Sequence, residues 1–153
     1  MNIMNEPTHY IIRVGDGINF TNSSRYNCWG LNSNNKNVKN FMKNIKENDI
    51  LWFIKNKTNG QVIAVSKYTT NEKRILGPLI NISKTNEELG WNNKENIDII
   101  IYYDNLYNIS KCNIFINLKG QTTISTYYDN KFNIDLKNEY DNIIKYSNIT
   151  TIM

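Results

Sequence analysis

Residues 9–30 read HYIIRVGDGINFTNSSRYNCWG, and the parsing of this stretch decides the architecture. HYIIRV is a compact run of β-branched and aromatic residues, the composition of a strand. GDG follows as a turn signal, and INFTNSSRY offers Ile18 and Phe20 as apolar anchors for one or two helical turns. The chain then reaches CWG, which sets Trp29 at the mouth of an asparagine-rich loop. The order is strand, turn, short helix, and an indole facing a polar segment.

Downstream, NVKNFMKNIKENDI places Val38, Phe41, Met42 and Ile45 at i, i+3, i+4 and i+7, the spacing of a helix that buries one stripe. Lys36, Lys39, Lys43 and Lys46 then share a cationic stripe, either a solvated helix face or a track for phosphates. DILWFIK and QVIAVSKYTT read as strands, and Asn59-Gly60 in NKTNG supplies a tight turn between them. Within the first of these, Trp52 alternates with Ile50 and Ile54, the pattern of ordinary sheet packing.

SKTNEELGW predicts a capped helical turn, with Thr85 and Glu88 at capping-box spacing, Gly90 as the stop and Trp91 just beyond. IDIIIYY, KCNIFINL and QTTISTYY are further strand candidates. DLKNEYDNIIKYS sets Leu136, Tyr140, Ile143 and Ile144 in helical register behind an Asp135 cap. The expected fold is α+β: a small, strongly curved mixed β-barrel of five or six strands with two or three peripheral helices, whose strand edges a closed or nearly closed barrel would also hide. Residues 1–8 read as a polar N-terminal arm, and residues 9–153 as one domain.

A chain of 153 residues has the length of a single domain, and 40% hydrophobic with 12% aromatic residues is enough for a packed interior despite a mean hydropathy of -0.55. The formal charge of +4 favours a phosphate backbone without requiring one. Cys28, Cys112 and the single His9 provide neither a zinc spacing nor a paired-thiol motif, so no metal and no cofactor is expected. The start MNIMNEPTHY lacks the basic and apolar regions of a signal peptide, which predicts an intracellular, non-secreted protein with two free thiols. No apolar run reaches the roughly 18 residues of a bilayer span, so no membrane partner is expected.

Catalytic signatures are sparse. His9 has no Ser or Cys partner in a recognisable motif, and VGDG is too short for a P-loop or dinucleotide fingerprint. Glu87-Glu88 and the carboxylates from Asp98 to Asp104 read as structural. No catalytic residue is assigned.

YIIRV, the short helix ending in RY, CWG, the Asn-bearing loop, the next helix, NDILWFI and the hairpin into GQVIAVSKY together resemble the EVE and YTH branch of the PUA-like superfamily. The likeness is most specific over IRVGDGINFTNSSRYNCW, where the distance from the first strand to Trp29, with Tyr26 three residues before it, is similar to the YTH pattern without a gap. GQTTI and the Tyr-bearing terminal helix are similar to the closing part of EVE domains.

The resemblance implies a barrel-like mixed sheet and a non-enzymatic, nucleic-acid-binding role. YTH domains hold N6-methyladenine in an aromatic cage, and EVE domains are associated with modified bases in DNA. Carried over, Trp29 is the first cage wall and Asn35 the loop asparagine after it, while Arg13 matches a basic position. Gly30 stands where YTH domains usually have Cys or Ser, so a contact from it comes from its backbone. Trp91 is the candidate second wall, or else a plug at the barrel end, and Lys36 and Lys39 are candidate phosphate contacts. The implied ligand is one modified base of RNA or DNA, single-stranded or flipped from a duplex. Two other readings stand beside it: a protein-interaction or thiol-redox adaptor using Cys28 or Cys112, and a nuclease, for which no Lys, Tyr and Arg set can be placed.

Overall fold

HYIIR forms a strand, and the fold grows from the two faces its alternation creates. A computed structural model describes residues 6–55, 60–73, 85, 88, 89, 91, 97–118, 122–128 and 132–152. The elements are β1 (His9–Arg13), α1 (Ile18–Ser24), β2 (Cys28–Leu31), α2 (Lys36–Asn44), β3 (Ile50–Ile54), β4 (Val62–Lys73), β5 (Ile99–Asn108), a 3-10 turn at Ser110–Cys112, β6 (Ile124–Thr126) and α3 (Leu136–Ile152). No helix among the described residues is long and apolar enough to cross a membrane.

The six strands form one mixed sheet in the order β2-β5-β4-β3-β1-β6, in which β1 and β3 run parallel and the other neighbours antiparallel. The parallel pair needs a crossover, and α1, β2 and α2 provide it. Register shifts at Phe53/Ile54 on β3, and at Val65/Lys67 and Tyr68/Thr70 along the twelve-residue β4, act as bulges that curl the sheet. The result is a half-barrel. Its edges are the short strands β2 and β6, which limits the unpaired backbone exposed at either side.

One core lies on the α1 and α2 side, where Leu51 and Phe53 of β3 meet Phe20, Val38 and Phe41. Ile50, Trp52 and Ile54 point the other way, onto Leu136, Tyr140 and Ile143 of α3. Asp49, fully buried at the entry to β3, ties the arm to the sheet: its Oδ1 accepts from the Thr8 N–H at 2.9 Å and from Lys46 Nζ at 2.7 Å, and its Oδ2 from the Lys46 N–H at 3.0 Å.

Several expectations are modified. α2 ends at Asn44, and Ile45 is extended, so Lys46 leaves the stripe and pairs with Asp49. Ile18 anchors nothing and stays 63% exposed, because only Phe20 of α1 turns inward with Ser23. KCNIFINL is not a strand: it holds the 3-10 turn, a left-handed Asn113 and a single bridge from Phe115 to Gln61. The turn residue Asn59 and the stop residue Gly90 lie outside the described residues. Gly60 is described, at φ +78°, and a Cβ there would fall 1.9 Å from the Ile116 carbonyl oxygen, so no other residue fits. The capping box does form, with the Thr85 N–H donating to Glu88 Oε1 and the Glu88 N–H to Thr85 Oγ1, each at 3.2 Å.

Tyr103 places a hydroxyl in the first core, where burial raises its pKa and no partner among the described residues takes the hydrogen bond. An unpaired buried hydroxyl is destabilising, so Tyr103→Phe is expected to raise the unfolding free energy by about 1 kcal/mol. Chemical denaturation checks this through a higher midpoint at unchanged slope.

Candidate base-binding site

Trp29 is positioned by a tight exit from α1. The Tyr26 and Asn27 N–H groups bond back to the Ser23 and Ser24 carbonyls, and Asn27 takes φ +54°, a left-handed turn that asparagine tolerates. Among the described residues β2 then pairs only with β5, with Trp29 opposite Ile101 and Gly30 opposite Ile100.

The indole is 8% exposed and faces Phe20 at 5.9 Å and Trp91 at 6.1 Å between ring centres, the latter nearly perpendicular at 88°. Trp91 is 2% exposed. A Cβ on Gly30 would lie 3.0 Å from Trp91 Cη2 and 2.5 Å from Ile97 Cγ2, so the missing side chain is what admits both groups. Trp91 and Ile97 therefore occupy the space that a side chain at position 30 would take, a slot beside Trp29. The Trp91 N–H is buried there without a hydrogen-bond partner among the described residues.

The loop after β2 is clamped by Asp98, the residue before β5. Asp98 Oδ1 accepts from the Ser33 N–H at 2.8 Å, its Oδ2 takes the Ser33 hydroxyl, and its own N–H reaches the Leu31 carbonyl at 3.2 Å. Asn35 is engaged as the N-cap of α2: its Oδ1 accepts from the Asn37 and Val38 N–H groups at 2.9 and 3.2 Å, and its Nδ2 donates to Thr123 Oγ1 at 3.4 Å. Lys36 and Lys39 lie exposed on the first turns of the same helix.

Arg13 is not brought to the indoles. Along β1, Tyr10 and Ile12 join the core of Trp29, whereas Ile11 joins the core under α3, and Arg13, at the same parity as Ile11, sends its Nη2 to the Leu118 carbonyl at 3.5 Å. The strand period of two excludes it from a site on the Trp29 face.

Two features have no counterpart in the sequence reading. His9 is 4% exposed and its Nδ1 accepts the Trp52 indole N–H at 2.9 Å, which places the proton of the neutral ring on Nε2. Desolvation lowers its pKa to about 4, with Lys137 adding to the shift. The partners are 43 residues apart, so no local pattern announces them. The second feature is a cavity of about 390 Å³ between α1 and strands β4 and β5. Neither Trp29 nor Trp91 lines it, nor the smaller cavities of about 270 Å³ beside His9 and beside Phe41.

Both cysteines are free. Cys28 is fully buried, with its thiol 3.7 Å from the Ser23 carbonyl and its pKa pushed up to about 12 by desolvation, while Cys112 is exposed. A thiol reagent at neutral pH is expected to label Cys112 in the native protein and Cys28 only at the rate of unfolding. Peptide mapping of the labelled chain reads the difference.

No known family model matches this chain, and no curated protein is detectably similar to it in sequence. The chemistry of the site therefore rests on its own residues: flat apolar rings and one N–H donor without a partner among the described residues, with the exposed ammonium groups of Lys36 and Lys39 carried on α2.

Proposed function

We propose that this chain is a PUA-like domain of the EVE/YTH type that captures one modified base of a nucleic acid, without catalysing a reaction on it. The observation that carries this reading is the slot at Gly30, where a heteroaromatic ring, that of Trp91, already stands perpendicular to Trp29 with its N–H unpaired among the described residues. A purine is a close substitute for indole in such a slot.

Energetics permit the exchange. Burying an unpaired N–H costs about 1–3 kcal/mol, which offsets much of what Trp91 gains by packing inward. A base stacked on Trp29 returns about 1–3 kcal/mol. Trp91 thus yields its place to a base, which turns its face to Trp29 where Trp91 stands perpendicular, and Trp91 becomes the second wall. A methyl group on the base adds apolar contact worth about 1 kcal/mol. The Gly30 backbone borders the base edge, and Asn35 acts by holding the first turn of α2 in place, so that Lys36 and Lys39 meet the phosphates. The parallel β1/β3 contact and the curled mixed sheet support the superfamily reading, and the burial of Cys28 weighs against a redox role for that thiol.

Binding of single-stranded oligonucleotides across a salt series tests the proposal. The wild type is expected to bind at low salt with a negative log–log slope, and the Lys36→Ala, Lys39→Ala double variant to lose about 1.4 from that slope, about 0.7 per phosphate released. Absence of binding at low salt for both RNA and DNA would end the proposal.

A further inference from the structure

The cavity beside α1 carries a second inference, independent of the indole slot. Its floor is apolar, made by Phe20, Ile63, Ala64 and Leu106, and its volume of about 390 Å³ falls in the range of small-molecule sites. Its rim is polar, and the hydrogen bonds within the protein decide what that rim can offer.

The Thr21 hydroxyl donates to the Gly17 carbonyl at 2.9 Å, the Ser24 hydroxyl to the Thr21 carbonyl at 2.9 Å, and the Ser110 hydroxyl to Asn108 Oδ1 at 3.0 Å. With their protons committed, the hydroxyl oxygens of these three lining residues have only lone pairs left to offer a ligand. Asp16 adds a carboxylate, of which Oδ1 already accepts the Ile18 N–H at 2.9 Å. Donors on the rim are fewer: the Lys55 ammonium and the Asn108 amide. Among the described residues Asp16 and Lys55 border this space without forming an ion pair.

An apolar floor under an acceptor-rich rim suits a flat ring that carries N–H donors. We propose that this cavity binds an amino-bearing nucleobase of the adenine or cytosine type. The ring lies over Phe20 and Leu106, the exocyclic amine donates to the hydroxyl oxygens and Asp16, and an attached phosphate faces Lys55. A base with a carbonyl in place of the amine sets oxygen against oxygen and leaves the rim unpaired.

Backbone-amide NMR of the full chain tests this with matched nucleotides, AMP against IMP and CMP against UMP. AMP and CMP are expected to shift the amide signals of Gly17, Thr21, Ser24 and Ser110, with IMP and UMP weaker by about tenfold or more, the effect of one lost hydrogen bond at a polar site. Thr21→Val, an exposed and nearly isosteric change, is expected to weaken AMP several-fold while leaving the rest of the spectrum intact. Ala64→Leu fills the floor and is expected to abolish binding. Gly17, Thr21, Ser24 and Ser110 line this cavity, which neither Trp29 nor Trp91 lines, so their amides report on it separately from the indole slot. Equal binding of IMP and AMP, no shifts at these four amides with millimolar AMP, or no effect of Thr21→Val overturns the proposal.

Discussion

Trp29→Ala is expected to lower the unfolding free energy by about 3–5 kcal/mol, the usual cost of truncating a buried aromatic, and to abolish oligonucleotide binding. Both effects come from one ring. It is 8% exposed, packs on Phe20 and Trp91 and closes one side of the Gly30 slot. Denaturant melts measure the first effect and a binding titration below the melting range measures the second. Trp29→Phe separates them, since it retains most of the packing while reducing the stacking surface. Trp91→Ala has a different expected signature: it empties the slot and lets water in, so plain and methylated bases bind alike. A Trp29→Ala protein that stays folded and binds as tightly as the wild type contradicts the assignment.

Acidification is expected to cost the fold on the order of 3 kcal/mol through His9 alone. The side chain titrates at about 4 in the folded protein against 6.5 as a free group, chiefly because burial penalises the charged ring. Between those values the unfolded chain binds the extra proton, so stability is full above 6.5, falls as pH drops, and levels off below about 4. The groups acting on the imidazole are Lys137, which lowers its pKa, and Asp141, Asp49 and Glu6, which raise it, with the rings of Trp52, Tyr127 and Tyr140 around it. Protonating Nδ1 also breaks the bond from Trp52. His9→Gln retains an acceptor for the indole and does not titrate, so its melts at neutral and acid pH are expected to differ less than those of the wild type. Equal acid losses in the two proteins contradict the role given to His9.

The fold was legible wherever local pattern and burial agree. The β-rich run HYIIRV, the helical spacing of Val38 and Phe41, and the runs DILWFIK and IDIIIYY each became the expected element, the last running on to Asn108. KCNIFINL shows the limit of that logic. Ile114 and Ile116 are buried and Phe115 is 41% exposed, the alternation of a strand, yet alternation reports only which side faces the core. Strand pairing needs a continuous neighbour, and here it reduces to one bridge.

The candidate site was legible only in part, for the same reason. The spacing around Trp29 suggested an indole near the rim of a curved sheet, but whether its face is open depends on Trp91, sixty-two positions away, and on the space left by Gly30. Arg13 was placed by its position at a strand end, and its parity along β1 sends it to the other face. Asn35 reads as a loop residue until the helix that it caps is in view. The cavity beside α1 assembles residues from Asp16 to Ser110, and no window of sequence contains it.

The proposed capture of a base is tested most directly by tryptophan fluorescence, titrated at low salt with matched single-stranded oligonucleotides that carry adenine or N6-methyladenine, in RNA and in DNA. The expected result is quenching that saturates, with the methylated strand tighter by about fivefold, the equivalent of about 1 kcal/mol, and diminished, weaker quenching in Trp29→Phe. Fluorescence that stays flat with every strand, or quenching that persists undiminished in Trp29→Phe, contradicts it.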